Sequence, residues 1–146
     1  YEGDIINLGN RKLMVTEVPG HTVGSVAYLD YENRIAFTGD AVSLRTIMFD
    51  TINGGKINEL LGTVHKYMDF CGKVDHMYWG HFDGVLTKEC IYNVLDCCID
   101  ILNRRDDHTP FSFMGDEGYS ARRLMPDNMN RADGQVGNIV YNRGAL

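Results

Sequence analysis

Residues 12–40, KLMVTEVPGHTVGSVAYLDYENRIAFTGD, constrain the fold more than any other part of the chain. Residues 12–18, 25–30 and 35–40 read as three strands, the first of them with side chains alternating between two faces. The Pro-Gly-His turn and the polar Tyr-Glu-Asn-Arg link between them are too short for a helical crossover. Three consecutive strands joined in this way can only run up and down, as an antiparallel meander.

The rest of the chain supplies what covers such a sheet. From Ile57 the apolar spacing becomes helical, through Leu60, Leu61, Val64, Met68 and Cys71, with Asn58 as N-cap and Gly72 as the stop. VDHMYWGH, residues 74–81, then reads as a short strand that ends in a Gly-His turn. A second helix is expected over residues 88–105. Thr87 is its N-cap, Ile91, Val94, Leu95, Cys98, Ile101 and Leu102 form one face, and Arg104 and Arg105 suit its C-terminal end. Residues 41–55 show no clean period and read as a loop, but Leu44, Ile47, Met48 and Phe49 are too apolar for an idle linker. Beyond residue 106 we expect irregular structure with one late strand at 138–142; Phe111, Phe113, Met114 and Tyr119 in this tail are candidates to cover a surface. The order strands, helix, strand, helix points to an α/β unit, a mostly antiparallel sheet with helices on one face.

Composition narrows the partners. The net charge of −6 disfavours nucleic acid and anionic membrane surfaces. No apolar run approaches the roughly 18–20 residues of a membrane span. The four cysteines, Cys71, Cys90, Cys97 and Cys98, show no metal-binding or secreted spacing; three fall on the second helix, where cysteine packs as a small hydrophobe. A reducing, cytoplasmic compartment is the corresponding expectation. The opening YEGDIINLGN has neither an initiator Met nor a leader and reads as turn, short strand, turn, as in the middle of a folded domain.

Three polar residues close strands, each preceded by glycine: His21 in PGH, Asp40 in TGD and His81 in WGH. Glycine lets the backbone bend at a strand end and leaves the next side chain projecting from the sheet edge. Two imidazoles and a carboxylate are donors that zinc, iron and manganese accept, and a carboxylate can bridge two ions. Spacing alone leaves open whether these are metal ligands or three separate polar turns.

Taken together, the Gly-Asp turn and strand at the start, PGHT-x-GS, FTGD and the later Gly80-His81 resemble the metallo-β-lactamase fold superfamily. That superfamily includes glyoxalase II-like thioesterases, lactonases, RNA-processing nucleases and flavodiiron proteins as well as the lactamases. The likeness runs over about residues 2–105. It implies a two-sheet αβ/βα sandwich and a dinuclear metal hydrolase, with zinc as the usual ion and iron or manganese as alternatives. Carried onto this chain, His21 would bind the first metal, Asp40 would bridge, and His81 would bind the second. Thr22 and Ser25 would support the site by hydrogen bonds.

The family's HxHxDH signature belongs ahead of EGDIINLG, and none of His65, His76 or His108 replaces it. The resemblance therefore implies the C-terminal half of such a domain at residues 1–106, with residues 107–146 as an extension packed on it. In the complete family two ions acidify a water that attacks a carbonyl or phosphoryl centre. Here one ion would see His21 and Asp40 and the other Asp40 and His81, short of the three or four protein ligands zinc takes. Weak or single-ion binding and little turnover by these residues alone are expected. Half a sandwich also leaves an apolar sheet face to be covered, by the N-terminal half or by a second copy in a homo-oligomer. A small ester, thioester or lactone is the expected substrate of the complete site. A non-catalytic binding half-domain and a flavodiiron-type oxidoreductase are the alternatives.

Overall fold

The meander forms as the alternation requires. In the computed structural model, which describes residues 1–49, 54–81, 84–113, 115–126 and 129–146, β1 (Ile5–Asn7), β2 (Lys12–Glu17), β3 (Val26–Asp30) and β4 (Ile35–Gly39) pair antiparallel in chain order. The chain then leaves this sheet through β5 (Thr46–Met48) and α1 (Ile57–Phe70). It returns as β6 (His76–Trp79), which lies parallel to β4. A helical crossover is the connection that two parallel neighbours need.

Pairing registers sort this sheet into two faces. Met14, Leu29, Ala36 and Met77 stand opposite one another across four strands, and the last three are buried in the core with Leu60, Val64 and Tyr67 of α1. Val15, Tyr28, Phe37 and Tyr78 form the adjacent row on the other face. Phe37 and Tyr78 are each 41% exposed, and their rings stack at 6.1 Å. The sheet thus has one face under helices and one open aromatic row, as the sequence pattern implied.

α1 begins one residue ahead of the expected Asn58 cap. The Glu59 carboxylate accepts the Lys56 N–H at 2.6 Å, so the acidic residue satisfies the helix start and Asn58 lies within the first turn. α2 (Lys88–Leu102) starts at the expected cap, with the Cys90 N–H donating to Thr87 Oγ1 at 3.2 Å. It stops before Arg104 and Arg105. Asn103 caps the helix and Arg104 takes the left-handed conformation at φ 56° that ends many helices. Cys90, Cys97 and Cys98 are buried, and burial raises the Cys90 thiol to about 12 and the Cys97 thiol to about 11, so neither is a reactive thiolate.

The main departure is a second sheet. Residues 41–55 read as a loop, yet they contain β5. The stretch expected to be irregular holds the hairpin β7 (Thr109–Phe113) and β8 (Asp116–Ser120) ahead of the anticipated late strand β9 (Asn138–Tyr141). These four strands order as β5-β9-β8-β7, with β5 and β9 parallel. Tyr119 sits in the hairpin, whereas Met114 and the side chain of Phe113 lie outside the described residues. No helix among the described residues is long and apolar enough to cross a membrane.

Tyr67 ties α1 to the end of β4. Its ring is fully buried and its hydroxyl donates to the Thr38 carbonyl at 3.1 Å, at the point where the β4–β6 register shifts. Tyr67→Phe keeps the ring and removes this donor. Urea unfolding should show a loss of about 1–3 kcal/mol, the cost of a buried acceptor left without its donor.

Candidate metal centre

Strand direction brings the three predicted residues to one edge. β2 and β4 both run antiparallel to β3, and β6 runs parallel to β4, so all three end on the same side of the sheet. His21 follows β2, Asp40 follows β4 and His81 follows β6, and all three line one pocket of about 350 Å³. The rest of its wall is mostly apolar, with Ile47, Met48 and Trp79 prominent.

The three glycines before these residues do different work. Gly20, at φ 152°, and Gly39 both use glycine's backbone freedom, and the position of Asp40 depends on that of Gly39. Gly39 sits at φ 55° beside the register shift in β4, which turns the chain so that Asp40 leaves the sheet edge. Gly20 gives room to α1, because a Cβ there would stand 2.8 Å from Leu60 Cδ1. Gly80 gives room to the site itself, since a Cβ there would lie 2.2 Å from Asp40 Oδ1.

Asp40 and His81 meet directly. His81 Nε2 stands 3.1 Å from Asp40 Oδ2, and the Trp79 ring meets the imidazole edge-on at 6.4 Å. The other carboxylate oxygen, Asp40 Oδ1, is buried with no hydrogen-bond partner among the described residues. An acceptor in that condition costs free energy unless something else satisfies it.

His21 is held apart from this pair. Its Nδ1 bonds the Met48 carbonyl, and for that the nitrogen must carry the proton, which leaves Nε2 as the lone-pair nitrogen. The turn carrying it is clamped from α1: Thr63 Oγ1 donates to the Pro19 carbonyl at 2.7 Å, and the Gly55 N–H donates to the Gly20 carbonyl at 2.9 Å. Thr22 and Ser25, expected to support the site, instead bond one another at 2.8 Å and close the turn. Met48 was not anticipated. Its contribution is a backbone carbonyl 27 residues away, which no side-chain motif announces.

Among the described residues, no three His, Cys, Asp or Glu side chains converge closely enough to hold a metal ion. His65 is exposed on α1, and His76 lies on the open face beside Tyr78. His108 belongs to a separate cluster with Tyr119 and Tyr141. The donor chemistry nevertheless suits an ion. Two ligands on one tetrahedral zinc stand about 3.4 Å apart at ordinary bond lengths, close to the Asp40–His81 separation. The orphaned Oδ1 is a free donor on the same carboxylate.

No family model matches the chain. A crystal structure of a metallo-β-lactamase family protein, TTHA1429 of Thermus thermophilus, superposes with a TM-score of 0.54 at 17% identity, over 71% of this chain and 36% of that one. ETHE1 of Myxococcus xanthus superposes with a TM-score of 0.51 at 26% identity, over 59% and 39%. The chain has the metallo-β-lactamase fold. In sequence it is 34% identical over 84 residues to the human acyl-coenzyme A thioesterase MBLAC2, which is 56% of this chain and 30% of that protein. It is 46% identical over 41 residues to a hydroxyacylglutathione hydrolase of Cereibacter sphaeroides, 28% of this chain and 16% of that enzyme. The matched segments thus span a third or less of these curated relatives, and both relatives are hydrolases.

The close approach at Gly80 gives a direct test. Gly80→Ala should force the Asp40 carboxylate away from His81 while the sheet stays intact. The expected outcome is unchanged far-ultraviolet circular dichroism with loss of the Asp40–His81 coupling, read as a changed imidazole signal of His81 by nuclear magnetic resonance.

Proposed function

We propose that this chain carries the C-terminal share of a metal-dependent hydrolase site that acts on small esters or thioesters. The observation that carries this is the Asp40–His81 pair, with its orphaned buried oxygen, at the edge where His21 presents Nε2. Similarity to a named acyl-coenzyme A thioesterase and to a hydroxyacylglutathione hydrolase supports the substrate class.

In this reading Asp40 and His81 would hold one ion, and Asp40 and His21 would contribute to a second. When bound, such ions supply Lewis acidity at a carbonyl oxygen and lower the pKa of water. The chain's own residues do the rest. Met48 fixes the His21 tautomer through its carbonyl, Trp79 limits the swing of His81, and Ile47 and Met48 exclude water from an apolar wall. Zinc fits these donors, as do iron and manganese. The remaining ligands would come from an N-terminal half of the domain. We propose that this half also covers the open row of Tyr28, Phe37 and Tyr78. Four free cysteines, three of them buried, accord with a reducing cytoplasmic setting.

Zinc titration by calorimetry tests the site. The 146-residue chain should bind weakly at a single site, and His81→Ala and Asp40→Asn should each abolish binding. Two tight sites, or binding that survives His81→Ala, would overturn the reading. Sedimentation tests the open face. Without its cover the chain should self-associate, and Phe37→Lys with Tyr78→Lys should reverse this; a compact 16.5 kDa monomer in the parent would count against it.

A further inference from the structure

A second pocket, of about 560 Å³, opens where α2 ends against β8 and β9. Its size suits a small organic ligand, whose sites run about 300–1,000 Å³. Its wall combines cations and rings. Arg104 and Arg143 both line it, and neither has an ion-pair or hydrogen-bond partner for its guanidinium among the described residues. In a chain of net charge −6, most other arginines are paired: Arg34 with Asp75, Arg122 and Arg105 with Asp100, and Arg131 with Asp133. Two unpaired guanidiniums at one concavity are therefore a departure from the pattern of this surface.

Behind them runs a built polar chain. The Tyr141 hydroxyl donates to Asp106 Oδ2 at 2.7 Å and accepts from His108 Nδ1 at 2.9 Å. Burial, reinforced by the Asp106 carboxylate, pushes the Tyr141 phenol up, so it stays protonated and keeps that donor role. The imidazole of His108 lies flat on Tyr119, with ring centroids 3.6 Å apart and an interplanar angle of 15°. Nδ1 donates to Tyr141, which leaves Nε2 as the lone-pair nitrogen, as at His21. Asp106 supplies the one side-chain carboxylate in this wall, and that side chain is only 4% exposed. The exposed side-chain charge of this wall is therefore positive.

The backbone points the same way. Arg104 and His108 both adopt left-handed conformations, at φ 56° and φ 46°. Such conformations cost about 1–3 kcal/mol at a residue with a side chain and persist where the surrounding structure enforces them. Here they bring Arg104 and His108 to the same pocket from opposite ends of the turn after α2.

We propose that this pocket binds a small organic anion, with a phosphate or carboxylate head on Arg104 and Arg143 and an apolar body against Ile101 and Tyr119. The site shares no lining residue with the pocket of His21, Asp40 and His81 and does not depend on the hydrolase reading. Paired guanidiniums suit either head group, because both present oxygens in the plane of the fork.

The test is calorimetric titration of the metal-free chain with phenyl phosphate and, separately, with 3-phenylpropionate. Saturable one-to-one binding of either compound is expected, and the compound that binds more tightly names the head group. Arg104→Ala with Arg143→Ala should weaken it by about tenfold or more per guanidinium removed, the usual scale of charge-assisted hydrogen bonds. Both arginines are exposed, so these variants should fold, and circular dichroism checks that they do. The His108 imidazole resonances should move during titration of the parent and stay fixed in the double variant. Absence of binding by both compounds, or equal affinity in the double variant, would overturn the proposal.

Discussion

Everything at the candidate metal centre depends on the parallel pairing of β4 with β6. It is the one non-antiparallel contact in the first sheet, and it sets the ends of two strands side by side. The Gly80 N–H donates to the Gly39 carbonyl at 3.0 Å, so the last ladder bond of this pair lies directly beneath Asp40 and His81. An antiparallel partner would have sent His81 to the opposite edge. The crossover through α1 therefore supplies more than core. It returns the chain in the direction that makes two distant turns into neighbours, and Tyr67 and Thr63 of that helix then pin the ends of β4 and β2.

The open aromatic row follows from the same construction. Helices can cover only one face of the meander, and the residues facing them, Ala27, Leu29, Ala36 and Met77, are almost completely buried. The alternate residues include Tyr28, Phe37 and Tyr78, whose rings are far too apolar for a face meant to stay in water. At roughly 25 cal/mol per Å² of apolar surface, leaving several such rings exposed forgoes a substantial part of a small domain's stability.

What could be read from the sequence followed the length scale of each signal. The meander was legible because strand alternation and short turns are local. His21, Asp40 and His81 were legible because a glycine followed by a potential ligand at a strand end is a local pattern too. Of the second sheet only the late strand β9 was. β5 is buried along nearly its whole length, and a strand buried on both faces shows no alternation to read. The β7–β8 hairpin contains Pro110, Asp116, Glu117 and Gly118, residues that seldom favour strands, so it is specified by its partners more than by its own composition. Asn58 was the natural cap by residue type, but a carboxylate one position further on reached the helix start first. The Met48 carbonyl that orients His21 had no signature at all, because every residue carries one.

That carbonyl also changes how the two sheets should be related. The meander places the ligand-type side chains, yet the tautomer of His21 is fixed from β5, and β5 is held by β9 with Met48 opposite Val140. The same segment supplies Thr46, Ile47 and Met48 to the pocket wall, and Thr46 Oγ1 donates to the Met129 carbonyl of the loop that adds Met129 beside them. Donor positions and pocket shape are thus built by different sheets. Substitutions in β5, β9 or the loop before β9 can reshape the apolar wall without disturbing the turns that carry Asp40 and His81. His21 is different, because a shift of β5 relative to β9 would move the Met48 carbonyl and free His21 to rotate. The late strand is therefore part of the site's support, and the register of β5 against β9 is the point where pocket shape and ligand orientation are coupled.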